Sequence, residues 1–238
     1  MNNKNLLLKT FSAIGVIFIL GVSMSADAGL FGHTMSWKEE VLLHDGQIIV
    51  AERFYNLGGY PEIASRERVA LDETVTFSLP GTNKKITWKT DFRDTEPEPN
   101  SLNLILFDVI NGVPYIATYP AGCIAYNKWK RPNPPQILFK YENDQWKRIT
   151  LAEFPIELSK ANVIVGRPAT KLLEPFYSVE QVNKENYDIA TPEYKTILRE
   201  VLPKEQINQM CEERVLYKGS WLLPNDPIAR KFIDQQKR

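Results

Sequence analysis

Few side chains in this sequence are of types that carry acid–base or nucleophilic chemistry, and their spacing narrows the field further. The chain holds two histidines, His33 and His44. His44 stands beside Asp45, as a base might beside its orienting carboxylate, but neighbouring strand residues point to opposite faces, so a hairpin shoulder is the better reading. His33 falls near the start of the expected mature chain, where termini fray. The sequence contains no H-E-x-x-H, C-x-x-C or G-x-S-x-G, and no other catalytic, metal or cofactor motif stands out. The carboxylate pairs Glu39-Glu40 and Glu212-Glu213 are adjacent along an element, a spacing that suits solvated side chains better than an acid facing a base. No cofactor is expected.

Contact chemistry is richer. The segment Cys123 to Pro135, CIAYNKWKRPNPP, combines Tyr126 and Trp129 with Lys128, Lys130 and Arg131, and its prolines hold the chain stiff. Aromatic rings with a cationic rim bind sugars, anionic groups or a partner protein. The competing reading packs Trp129 on a core strand and leaves the cations as ordinary surface charge. A second stretch, Tyr55-Asn56-Leu57-Gly58-Gly59-Tyr60-Pro61, places Tyr55 and Tyr60 around paired glycines. It reads either as a mobile contact loop or as a long hairpin connection with partly buried tyrosines.

The elements that position these residues are mostly β-hairpins. Val41–His44 and Gln47–Val50 flank Asp45-Gly46, whose residues tolerate the positive φ angles of a type I′ turn. Thr74 to Leu79 alternates, turns through Pro80-Gly81-Thr82-Asn83 and returns through Ile86-Thr87-Trp88. Leu102–Val109 and Tyr115–Thr118 bracket Asn111-Gly112; Ile137–Tyr141 and Trp146–Ile149 bracket Asn143-Asp144. The pattern predicts a mainly β fold, an antiparallel hairpin meander that closes as a sandwich, a barrel or a few propeller-like blades. Asp94 to Asn100 reads as a stiff acidic loop, and the prolines of Lys128 to Pro135 confine that stretch to a loop or an edge. From about residue 178 short C-terminal α-helices are expected. Ser178 with Gln181 resembles a capping box. Thr191-Pro192 opens a helix toward Glu200, Leu202-Pro203 one reaching toward Arg214, and Asp226-Pro227 a basic terminal one. Residues around Trp221 are candidates to rejoin the sheet. Helices this short need the β domain to pack against, so residues 29–238 are expected to form a single domain.

The N-terminus sets the compartment. Lys4 and Lys9 precede an apolar run from Phe11 to Val22, and Ala26-Asp27-Ala28 offers small residues at the positions a signal peptidase reads. Residues 1–28 are therefore expected to be a signal peptide, cleaved after Ala28. The apolar run is shorter than the roughly 20 residues that span a bilayer, so no stable membrane insertion is expected after cleavage. No Cys follows it to accept a lipid and no twin Arg precedes it. The protein is expected to be periplasmic or secreted. The whole chain has 29 basic and 29 acidic side chains. Removing Lys4, Lys9 and Asp27 leaves 27 against 28, a balance that argues against nucleic acid or an anionic membrane surface as the partner. In an oxidising compartment Cys123 and Cys211 are expected to form a disulfide, worth about 4 to 5 kcal/mol in the chain-entropy model. Two separate buried thiols are the alternative.

The strings WKEEVLLHDGQ (37–47), DETVTFSLPGTNKKITWKTD (72–91), YNKWKRPNPP (126–135) and PEYKTILRE (192–200) resemble those of an uncharacterised family of exported, periplasmic proteobacterial proteins. The resemblance covers most of the mature chain and implies bacterial origin and export. It brings no activity, ligand or catalytic residue with it. Together these readings favour an exported cell-envelope binding or interaction protein, with an envelope protein or glycan as its partner. The alternatives are an envelope hydrolase acting on a glycan or peptide through paired carboxylates, and an accessory subunit that recognises its partner by strand addition.

Overall fold

The computed structural model describes residues 33–58, 67–92 and 101–236. The expected signal peptide 1–28, Tyr60 and the acidic stretch 94–100 lie outside these described residues. The first hairpin forms where Asp45-Gly46 places it, though with another turn. β1 (His33–Leu42) and β2 (Ile48–Gly58) run antiparallel with Leu42 opposite Ile48. Leu43 N donates to Gln47 O at 2.8 Å, Gly46 N donates to Leu43 O at 3.0 Å, and only Gly46 of the turn has a positive φ, 85°. That is a three-residue loop, a type I turn followed by a left-handed glycine, rather than type I′. Here Asp45 takes another role, its Oδ1 accepting from Gln47 N at 2.9 Å. The double positive φ of type I′ occurs instead at Asn111-Gly112 (51° and 75°) and Asn143-Asp144 (52° and 61°).

Two four-strand meanders result. β3 (Val69–Ser78) and β4 (Lys85–Asp91) extend the first hairpin. β5 (Leu102–Ile110), β6 (Val113–Pro120), β7 (Ile137–Glu142) and β8 (Gln145–Ile149) form the second sheet, with α1 (Cys123–Lys128) on the connection between β6 and β7. The sheets pack as a sandwich and do not close into a barrel. Alternation along each strand of the first sheet sends one face inward. Val41, Ala51, Val75, Phe77, Ile86 and Trp88 on that face share a core with residues of the second sheet. Phe77 and Phe107 stack across it with centroids 4.2 Å apart.

A bulge in β5 between Leu104 and Leu106 adapts this strand to two cores. The extra residue reverses the alternation, so Leu104 before it and Phe107 after it both face the first sheet. Ile105 and Leu106 face outward, where Phe154, Leu158 and Ile197 cover them. The backbone carrying these covering residues, from Leu151 to Leu158 and around Ile197, is irregular and needs other partners for its carbonyls. The Arg199 guanidinium supplies them, donating to the carbonyls of Leu151, Phe154, Pro155 and Leu158 at 3.4, 3.0, 2.6 and 3.1 Å.

The C-terminal elements are short, as expected. β9 (Phe176–Tyr177) adds in parallel to β1, and α2 (Val179–Glu185) has the capping box of Ser178 and Gln181. The helix expected over 192–200 is only a 3-10 turn over 192–194. Ile197 N is drawn to Ser159 O at 2.9 Å while its side chain enters the outer core, which takes the backbone off the helical path. α3 (Lys204–Met210) stops at Cys211, short of Arg214. The segment around Trp221 does not rejoin the large sheets: β10 (Val215–Tyr217) pairs only with β11 (Ser220–Leu222), ahead of α4 (Pro227–Gln236). Among the described residues no helix is long and apolar enough to cross a membrane.

Candidate functional site

The 123–135 segment is fastened to the C-terminal part of the chain. Cys123 and Cys211 are disulfide-bonded across 88 residues. Asn127 Nδ2 donates to Cys123 O at 2.8 Å and Glu212 O at 3.1 Å, and its Oδ1 accepts from Arg214 N at 2.8 Å. Arg131 donates from Nη1 to Cys211 O at 2.7 Å and from Nη2 to Asn208 Oδ1 at 2.8 Å, with its guanidinium 5.3 Å from the Tyr126 ring centre. Tyr126 is 3% exposed and donates to Pro132 O at 2.8 Å. Tyr126 and Arg131 therefore act as internal struts of the loop, not as the ligand contacts their types suggest. Lys128 is partly buried, and Lys130 is exposed.

Trp129, the residue that caps α1, does reach a surface cleft. β4 contributes Thr87, Trp88 and Lys89, β5 Leu102, β7 Phe139 and β8 Trp146. The cleft encloses about 450 Å³ and lies along the seam where the edges of the two sheets approach. Trp88 is 4% exposed and forms its floor, while Trp129 and Trp146 are partly buried walls. Trp129 meets Phe139 edge-on with centroids 6.3 Å apart, and the Arg148 guanidinium lies 5.2 Å from the Trp129 ring centre. Trp146 is held by Nε1 donating to Thr87 O at 2.8 Å and by a T-shaped contact with Tyr141 at 5.1 Å. The sides are thus fixed aromatic surfaces bearing Lys89, and among the described residues no carboxylate lines the cleft. Such walls suit the C–H face of a sugar ring.

Tyr55, read as a loop contact, is 2% exposed and belongs to a buried ionic cluster. Arg53 lies between two carboxylates, with Nη1 2.8 Å from Glu39 Oε1 and Nε 2.5 Å from Glu73 Oε1. It also donates to Ile164 O at 3.1 Å and Gly166 O at 3.0 Å, while Tyr55 donates its hydroxyl to Gly166 O at 3.1 Å. Glu39 is wholly buried, whereas Glu40 next to it is partly exposed, so the expected solvated pair is divided by strand alternation. Burial pushes the Glu73 carboxyl above its ordinary range, against the opposing pull of Arg53. No donor among the described residues reaches Glu73 Oε2. The cluster pins the 164–166 crossing to the first sheet.

His44 also departs from its sequence reading. Its partner is Asp108, 64 positions away, with His44 Nδ1 2.8 Å from Asp108 Oδ1 and His44 N donating to Asp108 Oδ2 at 2.8 Å. The bond to Asp108 raises the imidazole pKa above 6.5. The ring borders a cleft of about 260 Å³ that Ser159 and Lys160 also line. Because Asp108 also accepts from Val109 N at 2.7 Å, its carboxylate firmly fastens the first turn to β5. His33, where fraying was expected, is instead paired with Leu57 at the start of β1. Among the described residues no cluster of His, Cys, Asp and Glu could hold a metal ion.

The sequence pointed to Trp129 but missed Phe139, Trp146 and Arg148. Their alternation within β7 and β8 was visible; their convergence with β4 was not. Comparison of the chain with protein-family models, curated proteins and solved structures finds no match.

Proposed function

We propose that this protein is an exported cell-envelope module that binds glycan, with sugar rings seated in the cleft between Trp129, Phe139 and Trp146. The observation that carries this reading is the convergence of tryptophans from β4, β8 and the end of α1 on one open cleft. Rigid aromatic walls offer apolar area at little entropic cost, and Lys89 in the lining supplies donors for hydroxyl groups. The disulfide suits an oxidising compartment, in keeping with a signal peptide at 1–28 and a periplasmic or secreted location.

Tryptophan fluorescence during titration with cellotetraose and chitotetraose tests the reading. A saturable change with either sugar, lost in Trp146→Ala, supports it; no change with either at millimolar concentration overturns it. A second reading, a hydrolase, draws on His44 and Asp108 rather than on paired carboxylates. In it His44 Nε2 takes the proton of an attacking water in the cleft beside Ser159. Release of reducing ends or amines by wild type, and not by His44→Gln, is the outcome that would favour it.

A further inference from the structure

The near-neutral charge of the mature chain conceals an uneven distribution. From Val215 to Arg238 the sequence has five basic side chains, Lys218, Arg230, Lys231, Lys237 and Arg238, against two acidic ones, Asp226 and Asp234. Subtracting these from 27 and 28 leaves 22 basic and 26 acidic side chains in residues 29–214, so a positive C-terminal end is set against a negative body. Asp226 is further committed as the N-cap of α4, its Oδ1 accepting from Ile228 N at 2.9 Å and Ala229 N at 2.8 Å.

The same end exposes apolar side chains. α4 buries Ala229 and Ile233, one turn apart, yet leaves Ile228 68% and Phe232 45% exposed. At about 100° per residue, Ile228 and Phe232 fall within about 40° of each other, bordered on one side by Ala229 and on the other by Lys231. Arg230 and Asp234 share the opposite side of the helix, four residues apart, where their charges offset. The Phe232 ring packs on Tyr217 with centroids 5.9 Å apart, and Lys218 Nζ stands 5.3 Å from the Tyr217 ring centre. The exposed stripe thus has one cation beside it on the helix, Lys231, and a second at the β10–β11 turn, Lys218.

The size of the stripe argues against a protein as its cover. α4 has ten residues, about 15 Å in length and 10 Å across, so its outer face offers on the order of 150 Å², far below the roughly 800 Å² per partner of a stable protein interface. A bilayer sets no such minimum, because adsorption adds buried apolar area to the attraction of cations for anionic headgroups. Lysines beside an immersed apolar stripe extend their ammonium groups to those headgroups.

We infer that the C-terminal unit of β10, β11 and α4 docks on an anionic phospholipid surface, with Ile228 and Phe232 entering the acyl boundary and Lys218 and Lys231 meeting the phosphates. The helix lies on the bilayer and does not cross it. This docking is independent of what the tryptophan cleft binds. Because Cys211, just ahead of β10, is bonded to Cys123 at the start of α1, it also tethers the Trp129 loop at the membrane.

Co-sedimentation of the mature protein with phosphatidylglycerol and with phosphatidylcholine vesicles tests it. Binding to phosphatidylglycerol is expected to be at least about tenfold tighter, and to weaken as salt rises. Ile228→Glu removes apolar area and adds a charge that the first turn of a helix favours, so binding should fall about tenfold with circular dichroism unchanged. Lys218→Gln with Lys231→Gln should lower phosphatidylglycerol binding by at least about tenfold and leave phosphatidylcholine binding as it was. Equal binding to both vesicles, binding that either variant leaves intact, or no binding at low salt overturns the inference. So does a concentration-dependent dimer in sedimentation velocity that Ile228→Glu dissociates, since a second copy then covers the stripe.

Discussion

Trp146 and Thr87 join the edges of the two sheets: the indole Nε1 of β8 donates to the backbone carbonyl of β4 at 2.8 Å. On an edge strand alternate backbone carbonyls point away from the sheet and need a partner elsewhere. The same bond satisfies that of Thr87 and fixes the plane of the ring, so Trp146 presents a set surface to the cleft.

Trp146→Phe keeps an aromatic wall and loses this hydrogen bond. Urea unfolding should show a loss of about 0.5–1.5 kcal/mol. Trp146→Ala should abolish sugar-induced fluorescence change while circular dichroism remains that of the wild-type fold.

Trp129 packs on Phe139 and under Arg148, so it serves the fold as well as the cleft. Trp129→Ala should lower stability by about 1–3 kcal/mol, less than the roughly 3–5 kcal/mol of a fully buried tryptophan. An unchanged melting temperature would show that these contacts contribute nothing.

Removing Arg53 leaves Glu39 and Glu73 buried without their counter-charge. Arg53→Met should therefore destabilise by about 3–5 kcal/mol, or prevent folding. Glu73→Gln should be tolerated far better, because burial already favours its protonated form. A carboxyl whose folded-state pKa is raised helps the folded state below the unfolded value. That help is lost as pH rises from the unfolded to the folded value. Wild type should consequently lose stability relative to Glu73→Gln as pH rises above the ordinary value of 4.5, until Glu73 ionises in the folded state too. Parallel pH–stability curves for the two proteins would contradict this.

The His44 imidazole should titrate above 6.5 because it donates to Asp108. The pair stabilises the folded state fully below the unfolded-state value of about 6.5, and the gain disappears as pH rises through the folded-state value. In NMR titration, Asp108→Asn should bring the His44 pKa down. An unshifted resonance would show that the carboxylate does not hold the ring.

Mass spectrometry of the unreduced protein should find a peptide linking Cys123 to Cys211. The double change Cys123→Ser, Cys211→Ser releases a crosslink between residues 88 apart and should cost up to about 4 to 5 kcal/mol. Two alkylatable thiols in the native protein would contradict the bond.

The hairpins were legible because their signals are local. Asn111-Gly112 and Asn143-Asp144 set their own positive φ angles, and Ser178 with Gln181 capped a helix, with no help from distant residues. Pro192 carried an equally local helix signal, yet tertiary packing overrode it when Ile197 entered the outer core. The two-residue span Asp45-Gly46 was correct for the hairpin and wrong for its turn type, since both possible turns place a glycine at positive φ.

The site was legible only in part. Trp129 stood out by type and neighbours, as did Tyr126, which is buried, and Arg131, whose guanidinium holds the loop to Cys211. By itself the sequence determined the strand pattern, the mainly β class, the even cysteine count and the near-neutral charge, because each follows from residue type and short spacing. Which inward residues are apolar core and which are ionic, as at Arg53, was decided by tertiary structure. So was the meeting of His44 with Asp108, and of Trp146 with Thr87. The physical reason is common to all three: direct contacts act over a few ångströms, and chain separations of 20, 64 and 59 residues are brought within that range only when strands pair, as for Arg53 and Glu73, or the sheets pack, as for the other two.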